Sequence, residues 1–193
     1  EKNYERFNVS ELHGKTIGII GMGNIGSKIA QLAKAFDMKV LAVVRTLRKN
    51  EDYADELHDY TGLDKVLKKS DHVVVSLPLT KETHHLFDYD MFKKMKPTAY
   101  FINIGRGKIV KENDLVRALR ENVIAGAGMD VFEEEPLPET SELWDMENVI
   151  ITPHYSGWTP NYMDRVIDIF CENLKAYLEN KRMPNLVDKE LGY

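Results

Sequence analysis

The sequence predicts an α/β fold, a doubly wound parallel sheet, and three observations carry that prediction. Short apolar runs recur at 17–20, 38–44, 72–77, 100–104, 124–131 and 149–152. Segments with apolar residues at helical spacing separate them, among them Ile25, Ile29, Leu32 and Ala33, then Leu63, Val66 and Leu67, then Leu115, Val116, Ala118 and Leu119. The first run ends in three glycines, Gly21, Gly23 and Gly26, that open directly onto a helix. Continuous apolar runs suit strands buried on both faces, and strand–helix alternation puts helices on both sides of a parallel sheet.

Taken in order, residues 1–13 read as a polar leading arm with anchors at Tyr4, Phe7, Val9 and Leu12, and the main domain spans 14–158. The strand MKVLAVV at 38–44 is followed at once by Arg45, Thr46, Arg48 and Lys49. A short strand is expected at 54–58 and a helix at 62–69. The run HVVVSL at 72–77 stops at Pro78, which cannot donate to a ladder. A loop and one or two short helices follow through residue 95, where Leu86, Phe87, Met91 and Phe92 suit either the core or an interface. YFINI at 100–104 is a strand, GRGKIVKEN a turn, and 114–120 a helix. Glycines in the strand at 124–131 imply close approach by another backbone. After an acidic, proline-bearing loop comes VIIT at 149–152, closed by Pro153. Met163, Val166, Ile167, Phe170, Leu174, Tyr177 and Leu178 then mark a last helix, so 159–193 is a C-terminal helix and tail. Cys171, the single cysteine, sits there among Ile169, Phe170 and Leu174 and reads as a buried core thiol rather than a nucleophile.

Bulk properties exclude several function classes. A chain of 193 residues with 43% hydrophobic content, 30% charge and a formal charge of −5 has no global attraction to nucleic acid or to an anionic membrane surface. No apolar stretch is long enough to span a bilayer, and EKNYERFNVSELHGK contains no signal-peptide core, so the expected location is cytoplasmic. The chain opens on Glu1 without a methionine, which suggests a fragment or processed product.

The glycine spacing GMGNIG is chemically specific in its setting. The first glycine permits a sharp turn, the second lets a pyrophosphate approach the backbone, and the third lets helix and strand pack closely. The anion then rests on helical N–H groups that have no partner within the helix. Three further signatures follow in order: SLPLTKET at 76–83, NIGRG at 103–107, and MDVFEEEP at 129–136 with TPH at 152–154. With these four the chain resembles the NAD(P)-binding domain of the D-isomer-specific 2-hydroxyacid dehydrogenases, over residues from about Leu12 to the end. The resemblance implies a Rossmann-like sheet, a homodimer, and a substrate domain largely absent from this chain.

It also implies roles. Arg106 holds the substrate carboxylate with its planar fork, His154 is the general acid/base, and Glu135, directly before Pro136, orients and charges that histidine, with Glu133 and Glu134 as confusable neighbours. Asp130 accepts from the nicotinamide carboxamide. Asn24 and Ile25 meet the pyrophosphate beside Gly21, Gly23 and Gly26; Leu77, Pro78 and Thr83 line the adenosine and ribose; Ile104, Gly105 and Arg106 pass near the nicotinamide. Asn103 is expected to stabilise its turn. His13, His58, His72, His84 and His85 read as structural or solvated, and Tyr155 and Trp158 either shape the substrate side chain or pack the final helix.

NAD-specific members carry an acid at the end of the second strand, and here that slot holds Val44. Arg45, Thr46, Arg48 and Lys49 beside it fit a 2′-phosphate, so NADP is favoured over NAD. The expected activity is hydride transfer between NAD(P)H and a small 2-keto acid such as glyoxylate or hydroxypyruvate. This chain is expected to bind cofactor but turn over poorly by itself. An alternative is a dinucleotide-sensing binding protein resembling the C-terminal-binding-protein corepressors. Formate dehydrogenases, which share the domain, are disfavoured because hydride abstraction from formate needs no Glu–His proton relay.

Overall fold

The computed structural model describes residues 9–47 and 52–190; the anchors Tyr4 and Phe7 and the cations Arg48 and Lys49 lie outside them. Each apolar run becomes a strand where its residues can be covered on both faces. In β1 (Thr16–Ile20) Ile17 and Ile19 face one side and Gly18 and Ile20 the other. The chain continues through α1 (Asn24–Ala35), β2 (Lys39–Val43), β3 (Glu56–His58), α2 (Leu63–Lys69), β4 (His72–Val75), α3 (Tyr89–Phe92), β5 (Tyr100–Asn103), α4 (Glu112–Arg120), β6 (Gly126–Met129), β7 (Val149–Ile151) and α5 (Tyr162–Leu178). All seven strands are parallel in the order β3-β2-β1-β4-β5-β6-β7. The order reverses between β1 and β4, and in open α/β sheets the crevice at such a reversal, outside the strands' carboxyl ends, receives ligands.

Two apolar layers sandwich the sheet. On one side α1 lays Ala30 and Ala33 over Ile17, Ile19, Val40, Ala42 and Val74. On the other, Phe87, Phe92 and Phe101 meet with ring centroids 5.0 to 6.3 Å apart, among Leu67, Leu115 and Leu119. Phe87 and Phe92 are therefore core, and Leu86 and Met91 pack partly buried against it. The expected close backbone approach falls at Gly126, where a Cβ would lie 2.6 Å from the Asn148 carbonyl oxygen ahead of β7.

Cys171 is exposed, which corrects the reading of a buried thiol. None of the 17 residues of α5 is buried, and Phe170 remains 63% exposed. Helical periodicity identifies an apolar face but carries no information about what covers it. No helix among the described residues is long and apolar enough to cross a membrane.

Asp71, just ahead of β4, ties its strand to the amino ends of β1 and β5, its carbonyl accepting from the Tyr100 N–H (3.0 Å). Asp71 Oδ2 accepts from the Thr16 N–H (2.9 Å), while Oδ1 pairs with Lys96 Nζ (2.8 Å). Burial pushes the Asp71 carboxyl up, but Lys96 and the Thr16 N–H outweigh it and hold the group below its ordinary 3.8. A carboxylate depressed in the folded state contributes stability that is complete above the unfolded value and is lost as pH falls through the folded one. Asp71→Asn should thus cost roughly 1–3 kcal/mol at neutral pH. The difference from the parent should shrink as pH drops below about 4, which urea melts at several pH values will show.

Candidate active site

The glycine turn is built by close contact on one side and left open on the other. Gly21 has φ +104°, a conformation side chains rarely adopt, and its N–H donates to the Val43 carbonyl (2.9 Å). A Cβ on Gly26 would lie 1.9 Å from the Gly21 carbonyl oxygen, so only glycine lets α1 start this close to β1. Ser76, at the end of β4, donates its hydroxyl to that same carbonyl (2.8 Å). Sequence reading passed over Ser76; its place between a strand end and Pro78 was the available signal.

Around Gly23 there is open space, with no atom within 4 Å of a Cβ placed there. Gly23 caps α1 without a side-chain hydrogen bond, the first turn carries no acidic residue, and Ile25 stands exposed. Uncapped N–H groups at the positive end of a 12-residue helix, facing an open cradle, fit a pyrophosphate.

Past β2, Val44 is 6% exposed and packs on the α1 side of the sheet, so the polar groups presented there are the exposed Arg45 and Thr46. Across β1, hydrogen bonds from Thr80 and its own N–H, then the charges of Lys81 and Arg45, hold the Glu82 carboxyl below its ordinary value. Leu77 is buried and Pro78 half-buried. Thr83, 3% exposed, uses its hydroxyl within its own loop, accepting from the Thr80 N–H (2.7 Å) and donating to the Pro78 carbonyl (2.8 Å). It shapes the wall of the crevice from behind.

At the end of β5, buried Asn103 closes its turn with both ends of its amide: Nδ2 donates to the Arg106 carbonyl (3.1 Å) and Oδ1 accepts from the Gly105 N–H (3.1 Å). Ile104 is half-buried and Arg106 projects exposed, with Nη1 on the Gly105 carbonyl (2.7 Å).

The exits of β6 and β7 meet at His154. Its backbone has φ +50°, uncommon for a residue with a side chain, and the geometry around it is over-determined. The His154 N–H donates to the Asp130 carbonyl (2.8 Å). The Asp130 carboxylate accepts from the Thr152 hydroxyl (2.6 Å) and from the Tyr155 and Ser156 N–H groups (3.1 and 3.2 Å). In this structure Asp130 is therefore the anchor of the 152–156 turn. Glu135 Oε2 lies 2.7 Å from His154 Nδ1, and Oε1 accepts from the Phe132 N–H (3.0 Å). Burial pushes the Glu135 carboxyl up, but His154, the Phe132 N–H and the charge of Arg106 outweigh it and keep it ionised below the ordinary range. Against an ionised carboxylate Nδ1 must be the donor, and Nε2 lies on the ring's far side. Glu133 is distinct from Glu135: its Oε1 is 2.8 Å from His85 Nε2. Trp158 stacks on Tyr162 at the start of α5, with ring centroids 5.6 Å apart, and both Tyr155 and Trp158 stay exposed.

Comparison with known proteins gives the family. Residues 1–156 match the family model of the D-isomer specific 2-hydroxyacid dehydrogenase NAD-binding domain. A glyoxylate reductase of Pyrococcus furiosus is 45% identical over 181 residues, 94% of this chain and 53% of that protein. Among solved structures, an NADPH-dependent glyoxylate/hydroxypyruvate reductase of Sinorhizobium meliloti, in complex with NADP and sulfate, superposes with TM-score 0.90 at 32% identity, covering 98% of this chain and 60% of that one. A D-isomer specific 2-hydroxyacid dehydrogenase of Lactobacillus delbrueckii in its NAD-complexed form gives TM-score 0.81 at 30% identity, covering 93% and 57%. The chain spans about half the length of the curated relatives it matches.

Proposed function

Because this chain belongs to the D-isomer-specific 2-hydroxyacid dehydrogenases through their NAD-binding domain, we propose that it is the dinucleotide half of an enzyme interconverting a small 2-keto acid and its D-2-hydroxy acid. The observation that carries this reading is the His154–Glu135 pair at 2.7 Å, gathered with Arg106 at the carboxyl ends of β5, β6 and β7. Bound NAD(P)H supplies the hydride. The Arg106 guanidinium pairs with the substrate carboxylate through two parallel N–H donors and so fixes which carbonyl face is presented. His154 delivers the Nε2 proton to the oxygen that gains charge as the carbonyl is reduced. Glu135 holds Nδ1–H and offsets the positive charge of the imidazolium before transfer.

Glyoxylate and hydroxypyruvate are the substrate class we assign, on the strength of the names borne by the relatives. We place residues 14–158 as the dinucleotide-binding domain and the apolar face of α5, within 159–193, against the substrate domain; turnover by this chain alone is then slow. A homodimer in the cytoplasm is the assembly we assign, and a lone thiol with formal charge −5 suits that compartment.

NADP is the preferred cofactor in this reading, supported by exposed Arg45 and Thr46 past β2 and by neighbours crystallised with NADP or NADPH. Calorimetric titration at fixed ionic strength tests it. Arg45→Ala should weaken NADPH binding about tenfold, equivalent to about 1.4 kcal/mol, and leave NADH binding unchanged. Equal losses for both cofactors would remove the phosphate role. A panel of 2-keto acids offered to the complete enzyme tests the reaction, and failure to oxidise NADPH with any of them sinks it.

A further inference from the structure

The acidic loop after β6 contains a second histidine–carboxylate pair that sequence reading left unassigned. Glu133 and Glu135 take imidazoles from opposite directions: Glu135 meets His154 from the exit of β7, and Glu133 meets His85 from the loop after β4 (2.8 Å). His85 is held firmly for this task. Its backbone has φ +52°, its N–H donates to the Lys108 carbonyl (2.8 Å), and its ring lies 3.9 Å from that of His84.

The other partner of Glu133 is Glu112, at the start of α4. The Glu112 N–H donates to Glu133 Oε1 (3.2 Å), and the Glu133 N–H donates back to Glu112 Oε2 (3.2 Å). Two carboxylates are thereby brought side by side, with Glu134 adjacent, and burial chiefly, then Glu133 and Glu134, push the Glu112 carboxyl above its ordinary value. Among the described residues His85 is the imidazole paired with this cluster, its Nε2 lying 2.8 Å from the same Glu133 oxygen that accepts from the Glu112 N–H. Removing it leaves the two carboxylates to repel, and the cheapest relief is for Glu133 to swing outward with its backbone. Only Glu134 separates Glu133 from Glu135, so that movement is passed directly to the carboxylate orienting His154.

We propose that His85 and Glu133 form a positioning pair that fixes the placement of Glu135 against His154. His85 acts through the loop and touches neither substrate nor cofactor. The inference rests on the acid/base reading of His154 and Glu135, and its test keeps the two apart. An imidazole free in water favours the proton on Nε2, whereas a fixed carboxylate at Nδ1 holds it there. Ring 15N shifts of His154 in the full 193-residue chain, recorded at alkaline pH, therefore report the contact directly.

The parent should show Nδ1–H. Glu135→Ala, which leaves no acceptor at Nδ1, should return the ring toward Nε2–H, as should His85→Ala to a lesser extent, while His85→Gln, which keeps an N–H donor for Glu133, should retain Nδ1–H. Both His85 variants carry the same backbone cost at φ +52°, so their difference isolates the donor. Unchanged backbone amide shifts in β1, β2 and β4 certify the fold; if His85→Ala fails to fold, His85→Gly, which takes φ +52° without strain and also lacks the donor, gives the same comparison. A His154 ring that stays Nδ1–H in His85→Ala or His85→Gly, yet reverts in Glu135→Ala, overturns the positioning pair and leaves the acid/base reading standing. A ring indifferent to Glu135→Ala overturns both.

Discussion

Replacing His154 by alanine in the complete enzyme is expected to lower kcat for 2-keto acid reduction by about 10²- to 10⁴-fold, the range general acid catalysis contributes. KM should change little, because the proposed reaction gives the substrate carboxylate to Arg106, and dinucleotide binding should not change at all. Glu135→Gln should lower kcat by a smaller factor, on the order of 10²-fold, because the imidazole survives but loses its orienting partner. The structure locates the reason in the 2.7 Å contact between Nδ1 and Glu135. Stopped-flow measurement of NADPH consumption separates the outcomes: equal kcat in parent and His154→Ala would mean that the proton comes from elsewhere.

The second large effect is expected at Gly107→Ala. A Cβ there would lie 1.7 Å from the Phe132 carbonyl oxygen, 1.9 Å from its carbon and 2.6 Å from the Glu133 nitrogen. All three are backbone atoms, so no side-chain rotation can make room and one loop must move. The exits of β5 and β6 are pressed together at this point, and they carry Arg106 on one side and Glu135 on the other. We expect a loss of roughly 3 kcal/mol or more, seen as a fall in Tm of about 6–12 °C for a chain of this size. Turnover should fall further than stability accounts for, since both site loops are displaced. Gly128→Ala is the control: its Cβ would meet only Ile102 carbons at 3.7 and 3.8 Å, ordinary contact, and it should melt like the parent. Equal melting of Gly107→Ala and Gly128→Ala would refute the crowding argument.

Much of this was legible in the sequence, for identifiable reasons. Period and composition marked every strand of the sheet, and a glycine turn between strand and helix has few other uses. Arg106 and His154 stood out through the likeness of NIGRG and TPH to the family's motifs, and both follow the carboxyl end of a strand. Three consecutive glutamates hid the division of labour between Glu133 and Glu135, because it depends on where His85 and His154 arrive from other strands. The burial of α5 was misjudged for a similar reason. Cys171, Phe170 and Leu174 have the spacing of a covered face, yet covering is a property of what lies opposite. Asp130 shows the converse: its place after β6 was legible, but not that the 152–156 turn would bring Thr152, Tyr155 and Ser156 onto its carboxylate.

The hold on His154 comes from one short stretch of chain. Asp130 takes the Thr152 hydroxyl before His154, the His154 N–H itself and the Tyr155 and Ser156 N–H groups after it, Glu135 takes its ring, and both acids grow from the same six-residue exit of β6. In the proposed reaction, donor, orienting carboxylate and backbone clamp would therefore form one unit, held together without substrate. Cleft closure would then have no catalytic group left to assemble on this side; it would have only to carry the carbonyl oxygen to a proton already aimed, and shut out the water that would otherwise take it.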